Sequence, residues 1–316
     1  MNHQQGLTIS NQAFEIKVPG SIANLGPGFD TLAVAVQLYL TLRVKCLPGR
    51  GELEFRFAGQ KPQGENCVQR AFQYMAGENA KHLPSFCVEV SSDIPPSAGL
   101  GSSAAATVAG LRLYEAAAGP VPIQTLLNAA CKLETHPDNA AASLLGGLTL
   151  SCSMPDGSVY ATKFPWPDSL AFVVASPAVP LRTPESRAVL PNTISRADLV
   201  FNLQRVALLL ELLRSGDFGL LKHALDDRVH QPFREQIVPG LHEALELKHR
   251  DLLGICLSGS GPSIVAMAEC NLWEIGAMLR QVYERRGVDC QLRILEAHQE
   301  AGVRTQMFRS GLLCCS

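Results

Sequence analysis

The run Ile94-Pro95-Pro96-Ser97-Ala98-Gly99-Leu100-Gly101-Ser102-Ser103-Ala104-Ala105-Ala106 restricts what this chain can fold into more than any other stretch. Two prolines end an extended run, two glycines sit one residue apart, and two serines open an alanine-rich segment that reads as a helix through about Ala118. The first turn of such a helix has backbone N–H groups without intrahelical partners and carries roughly half a positive charge. Gly99 and Gly101 let the backbone approach an anion closely, and Ser102 and Ser103 add hydroxyls that can cap the helix or touch a metal. The stretch is therefore an anion site that suits a phosphate. It is not the Walker pattern, because no Gly-Lys-Ser/Thr follows, nor the dinucleotide fingerprint, because no third glycine stands at the right offset. A plain glycine turn into a small-residue core helix leaves the paired serines and prolines unexplained.

A chain of 316 residues suffices for two domains, each with its own core. Apolar residues make up 47% and charged residues 18%, the latter below the usual quarter, which argues against disorder. A net charge of −2 and the lack of a Lys/Arg cluster with interleaved aromatics argue against a nucleic-acid partner. No apolar stretch approaches the length of a membrane span, and the polar start, Met1 to Ser10, is unlike a signal peptide, so a cytoplasmic location without a membrane partner is expected. The ten cysteines form no C-x-x-C pair and mostly sit in apolar runs, which predicts reduced structural thiols; Cys314 and Cys315, near the chain end, read as oxidation liabilities.

Along the chain, Phe14 to Val18 reads as a strand delivering a loop from Pro19 to Asp30. Alternation at Leu38, Leu40, Leu42, Val44 and Cys46, and again at Leu53, Phe55 and Phe57, predicts two more strands. Val68, Ala71, Phe72 and Met75 have helical spacing ending near Gly77, and Phe86 to Val90 is the strand that feeds the glycine loop. After a break at Gly119-Pro120, a helix from Pro122 to about Glu134 precedes the polar cluster Thr135-His136-Pro137-Asp138-Asn139, whose proline fits a first helical turn. Strands at Leu148 to Ser153 and Val159 to Phe164 close a first domain, residues 1–165. Pro165-Trp166-Pro167-Asp168 interrupts both periodicities and opens a second, 166–316. There, a strand at Leu170 to Ala175 precedes a helix from Ser195 to Leu213 striped by Leu199, Leu203, Val206 and Leu210, and shorter helices near Phe218 to Leu225 and Leu241 to Lys248. Paired strands at Gly254 to Leu257 and Ser263 to Ala268, a helix at Leu272 to Arg286 and a last strand at Val288 to Leu295 complete a ferredoxin-like order.

The run Pro95-x-x-x-Gly99-Leu100-Gly101-Ser102-Ser103-Ala104 resembles the phosphate-loop signature of the GHMP kinases, which include galactokinase, homoserine kinase and mevalonate kinase. Val18-Pro19-Gly20-Ser21-Ile22-Ala23-Asn24-Leu25-Gly26-Pro27-Gly28-Phe29-Asp30 is similar to the family's amino-terminal motif in its homoserine kinase form, and Leu257-Ser258-Gly259-Ser260-Gly261-Pro262-Ser263 to its carboxy-terminal glycine loop. The three occur in the family's order over nearly the whole chain. The resemblance implies an α+β, two-domain GHMP kinase-like fold, with an N-terminal domain like ribosomal protein S5 domain 2, which binds ATP, and a C-terminal ferredoxin-like domain.

It also implies an activity: ATP-dependent phosphorylation of the side-chain hydroxyl of L-homoserine, on the route to threonine. A mevalonate-type acceptor, or a non-catalytic sensor on the same fold, stands as the alternative. For ATP the implied contacts are Pro95, Pro96, Ser97, Ala98, Gly99, Leu100, Gly101, Ser102, Ser103, Ala104 and Ala105, with Gly259, Ser260 and Gly261 closing the site. Homoserine is a zwitterion, so its site needs a cation for the carboxylate and acceptors for the ammonium. By the resemblance, Asn24, Asp30, His136 and Asp138 contact it, Asn139 stands beside the reacting hydroxyl, and Arg187 and Arg234 hold the carboxylate. Without the resemblance, Asp30 reads as a turn cap, each arginine as a solvated surface residue, and Asp138 or Asn139 as a helix cap; Arg228 lies near enough to replace Arg234. Asn139 cannot take a proton at neutral pH, and phosphoryl transfer needs little nucleophile activation, so no dedicated base is expected. Mg²⁺ is expected on Ser103 and on Glu134, two residues before His136, or, in a longer spacing, near Asn128. A homodimer is left open.

Overall fold

A computed structural model describes residues 13–59, 64–301 and 306–308. The expectations for Met1 to Ser10 and for Cys314 and Cys315 lie outside the described residues.

The elements follow in chain order. Strands β1 (Ala13–Ala23), β2 (Leu32–Arg50) and β3 (Leu53–Phe57) precede helix α1 (Cys67–Ala76), a 3₁₀ turn (Gly77–His82) and β4 (Pro84–Ser92). Helices α2 (Ser102–Ala118), α3 (Ile123–Glu134) and α4 (Pro137–Leu145) then lead to β5 (Leu148–Ser153), β6 (Val159–Phe164) and β7 (Ala171–Pro177). Helices α5 (Thr183–Ala188), α6 (Arg196–Ser215), α7 (Leu221–Ala224), α8 (Gln231–Arg234) and α9 (Leu241–Leu245) follow. Last come β8 (Gly254–Leu257), β9 (Ile264–Ala268), α10 (Leu272–Glu284), β10 (Cys290–Leu295) and β11 (Gln306–Phe308).

Among the described residues, the first sheet is seven-stranded, in the order β11-β1-β2-β4-β3, with β5 on β2 and β6 on β5. The second is four-stranded, β10-β7-β9-β8, all antiparallel. The α+β class with a ferredoxin-like second sheet therefore holds. Helices α2 and α4 pack on β1, and α10 packs on β7. One core cluster runs from β1, β2 and β4 through α2 and α3 to Phe172, Leu209 and Leu225; a second lies on the other face of the second sheet around Leu257, Ile275 and Tyr283. Trp166 is buried in the first of these clusters, its indole N–H donating to Leu170 O at 2.8 Å and its ring 4.8 Å from Phe172.

Several expectations need correction. The first strand continues past Val18 to Ala23, because a bulge at Pro19/Gly20 absorbs the proline, whose missing N–H would break a regular ladder. That extension sets Ser21 against the glycine loop, Ser21 N donating to Leu100 O at 3.1 Å. On α6 the proposed stripe is wrong: Leu199 and Leu203 are 51% and 61% exposed, and the buried residues are Asn202, Leu209, Leu212 and Leu213. The helix carries apolar residues on more than one face, so its periodicity leaves the phase open. Helices α7 and α9 are shorter than expected, and the short helices α5 and α8 were missed although each has proline in its first turn. Beyond the expected last strand, β11 returns to pair with β1 at the edge of the first sheet.

The eight described cysteines are free thiols, but only Cys46, Cys131 and Cys256 are buried. No helix among the described residues is long and apolar enough to cross a membrane.

Candidate active site

The loop between β4 and α2 turns through positive φ at Ser97 (53°), Gly99 (76°) and Gly101 (72°), and Gly101 is the N-cap of α2. The amides of Ser102, Ser103 and Ala104 precede the first α-helical bond, Ala105 N to Gly101 O, and so have no intrahelical acceptor. The reason for the glycines differs from the expected one. A Cβ on Gly99 would lie 2.4 Å from Ser258 O, and one on Gly101 would lie 2.2 Å from Ser21 Oγ. Both face protein, so they let the loop close against the second glycine turn and against β1. Ser258 Oγ completes that junction by donating to Gly99 O at 2.6 Å.

A cavity of about 620 Å³ opens over this loop. Ser97, Ala98, Gly99, Gly101, Ser102, Ser103 and Ala104 line it from one side and Gly259 and Ser260 from another. The remaining residues expected at ATP do not line this cavity. Pro95 and Pro96 border a separate cavity of about 550 Å³, Leu100 and Ala105 are buried in the core, and Gly261 packs on Leu257 and Val238.

Ser103 Oγ donates to Glu134 Oε1 at 3.1 Å, and the buried Thr107 hydroxyl donates to the same oxygen at 2.6 Å. Thr107 lies one turn after Ser103 on α2, so both reach the end of α3 together. Asn128 lies away from the cavity wall, its amide oxygen accepting from Val159 N at 3.0 Å. The hard oxygen pair Ser103 and Glu134 suits Mg²⁺, which keeps its other positions for water and phosphate oxygens.

Further charged groups line the same cavity. Arg187 on α5 reaches Asp30 Oδ1 at 2.5 Å, and His136 Nδ1 lies 3.9 Å from Asp30 Oδ2. Burial, then the Arg187 charge, lowers the His136 pKa, while Asp30 opposes that shift. Asp138 is 3% exposed; burial pushes its carboxyl up to about 6, although the Asn139 backbone N–H donates to it at 2.7 Å. Asn139 is fixed at both ends of its amide, with Oδ1 accepting from Ser21 Oγ at 2.8 Å and Nδ2 donating to Asp138 Oδ1 at 3.2 Å.

Arg234 is 1% exposed, with Nε donating to Ser186 O at 3.3 Å and Nη1 to Gly259 O at 2.9 Å. Nη1 also lies 3.0 Å from His230 Nδ1, which as the acceptor places the ring proton on Nε2, donating to Gly26 O at 2.7 Å. Burial lowers the Arg234 pKa to about 10, so it stays charged at neutral pH. Arg228 instead stacks on Phe201 and pairs with Asp198 outside the cavity. Asn24 joins motifs rather than standing free: its Nδ2 donates to Gly259 O at 2.9 Å and its Oδ1 accepts from Asp30 N at 3.1 Å.

Ser21, Arg70, Thr107 and Phe29 escaped the sequence reading. Phe29 lies in the matched amino-terminal motif, and its ring sits 5.2 Å from the Arg187 guanidinium and 5.5 Å from that of Arg234. Ser21 belongs to the same motif, whereas nothing local marks Arg70 or Thr107.

Residues 66–147 match the GHMP kinases N terminal domain and residues 209–280 the GHMP kinases C terminal domain. The chain is 38% identical over 288 residues to the homoserine kinase of Solibacter usitatus, covering 89% of this chain and 93% of that one. It is 32% identical over 326 residues to the homoserine kinase of Schizosaccharomyces pombe, with 90% and 96% covered. The crystal structure of homoserine kinase from Cytophaga hutchinsonii superposes with a TM-score of 0.82 at 24% identity, over 97% of this chain and all of that one. Lactococcus lactis galactokinase complexed with galactose shares the fold at a TM-score of 0.67 and 14% identity, with 93% and 95% covered.

Proposed function

This chain belongs to the homoserine kinases of the GHMP family, and on that premise we propose that it transfers the γ-phosphoryl group of ATP to the side-chain hydroxyl of L-homoserine, giving O-phospho-L-homoserine for threonine synthesis. The observation that carries this reading is one cavity lined both by the glycine loop and by a zwitterion-matched set, Asp30, Asp138, Arg187 and Arg234.

The α2 amides and the Ser102 and Ser103 hydroxyls bind the phosphates at the helix N-terminus. Ser103 and Glu134 would hold Mg²⁺, which when bound neutralises charge on the triphosphate. Arg187 and Arg234 bind the substrate carboxylate, while Asp30 and Asp138 accept from its ammonium. Asn139 uses one amide hydrogen on Asp138 and has a second to orient the acceptor hydroxyl. A loose transition state needs that alignment more than it needs a base, so the hydroxyl proton leaves late, toward a phosphate oxygen.

A coupled ADP-release assay over homoserine, mevalonate, galactose and shikimate tests the assignment. Homoserine is expected to give the highest kcat/KM. A preference for mevalonate or a sugar would overturn the substrate and leave the family standing.

A further inference from the structure

Glu134 Oε1 is crowded. It takes Thr107 Oγ1 at 2.6 Å, Ser103 Oγ at 3.1 Å and Arg70 Nη2 at 3.3 Å, three donors on an oxygen with two lone pairs. Arg70 makes the longest of these contacts. Its other bonds are also long, Nη1 to Glu65 Oε2 at 3.3 Å and Nη2 to Leu133 O at 3.5 Å, and its Nε is buried without an acceptor. Arg70 is therefore a guanidinium with donors to spare on the wall of the cavity.

Its position gives that spare capacity a purpose. Among the described residues, three arginines line the cavity, and no lysine does. Arg187 and Arg234 both lie over Phe29 at the amino-acid end. Of these three, Arg70 is the one that stands beside Ser103 and Glu134, where a polyphosphate must bring several negative charges. Before nucleotide binds, two carboxylates, Glu65 and Glu134, neutralise it. A divalent cation arriving at Glu134 competes for the same carboxylate and repels the guanidinium, while the phosphates that come with it offer better acceptors for a guanidinium fork.

We propose that Arg70 holds Glu134 in place until a metal ion takes that carboxylate, and then binds a phosphate oxygen of the nucleotide. This rests on the kinase reading above. The test is calorimetric binding of Mg²⁺ with a non-hydrolysable β,γ-methylene ATP analogue to the wild type, Arg70→Ala and Arg70→Lys, alongside steady-state constants for both substrates. Arg70→Ala should weaken analogue binding by about tenfold or more, as expected for one charge-assisted contact. The homoserine KM should stay within about twofold and the melting temperature should hardly move. Arg70→Lys should recover part of the affinity, and added guanidinium ion should restore part of the Arg70→Ala rate. Unchanged analogue affinity would overturn the proposal, as would a loss shared equally by nucleotide and homoserine together with a fall in melting temperature. Failure of the wild type to use homoserine would overturn the substrate assignment alone, since the analogue binding still decides the role of Arg70.

Discussion

Arg187 Nη2 and Asp30 Oδ1, 157 residues apart in sequence, meet at 2.5 Å on the wall of the cavity. The cation and the anion thus satisfy each other in the ligand-free protein, and a zwitterion can replace both halves of the pair at once. A ligand with only one of the two charges leaves the other group unpaired.

The first prediction follows from that pair. Arg187→Ala should raise the homoserine KM and leave Mg·ATP saturation nearly unchanged. Because both side chains are about a third exposed, the loss is set at about 1–2 kcal/mol, or roughly five- to thirtyfold in KM. Initial rates at varied homoserine and fixed saturating ATP measure it, and an unchanged KM would rule the contact out.

Glu134 and Asn128 separate cleanly. Glu134→Gln should lower turnover and raise the Mg²⁺ concentration for half-maximal rate, since an amide is a weaker ligand than a carboxylate for a hard cation. Asn128→Ala removes the acceptor of Val159 N and should cost about 1 kcal/mol of stability without shifting the Mg²⁺ dependence. A Mg²⁺ titration of both variants checks this, and the reverse pattern would move the metal to the longer spacing.

Ser21→Ala deletes the hydroxyl that holds Asn139 Oδ1 at 2.8 Å. The amide then keeps only its bond to Asp138 and is less firmly oriented, so kcat should fall by about tenfold or more through lost alignment, with both KM values nearly constant. Single-turnover rates isolate that step; a kcat equal to wild type would show that Asn139 needs no such anchor.

Asp138 predicts a pH dependence in two observables. Its folded pKa, about 6, lies above the ordinary 3.8, so the folded state binds the proton more tightly than the unfolded state does. The stability that this proton supplies is present below pH 3.8 and is lost as pH rises through 6. At pH 7 the ionised carboxylate is therefore a burden on the fold. Asp138→Asn should melt higher than wild type at pH 7, should lose that advantage toward pH 4, and should bind homoserine poorly at every pH. In the wild type, kcat/KM for homoserine should fall as pH drops below about 6. Melting curves and rates over pH 4 to 8 test both, and a variant less stable than wild type at pH 7 would contradict the assigned burial cost.

Arg234 and Arg228 make a final pair. Arg234→Ala removes the side-chain donor to Ser186 O and His230 Nδ1 and leaves Gly259 O with Asn24 Nδ2, and should cost ~2 kcal/mol or more in stability as well as homoserine binding. Arg228→Ala loses a stacking contact on Phe201 and should leave the homoserine KM within about twofold. Denaturant melts with matched kinetics separate the two residues, and a large KM effect from Arg228→Ala would reverse the choice between them.

How much of this was legible in the sequence depends on the range of the interaction. Local chemistry was readable. The glycine loop and the start of α2, the Pro137 entry to α4, the alternation in β2 and β3, and the bounds of β5 and β6 all rest on forces within a few residues: orphan amides, fixed φ values and side chains alternating on a strand. Contacts between distant elements were not. The partner of Asp30, the anchor of Asn139 and the buried face of α6 join residues up to 157 positions apart. Periodicity fixes the spacing of a stripe but not its phase or its partner. Gly99 and Gly101 show the division most directly. The sequence alone required glycine there and ascribed it to the approach of an anion, whereas the folded chain shows that their missing Cβ atoms make room for Ser258 and Ser21. That reason exists only once the two sheets have brought the second glycine turn and the bulged first strand against the loop.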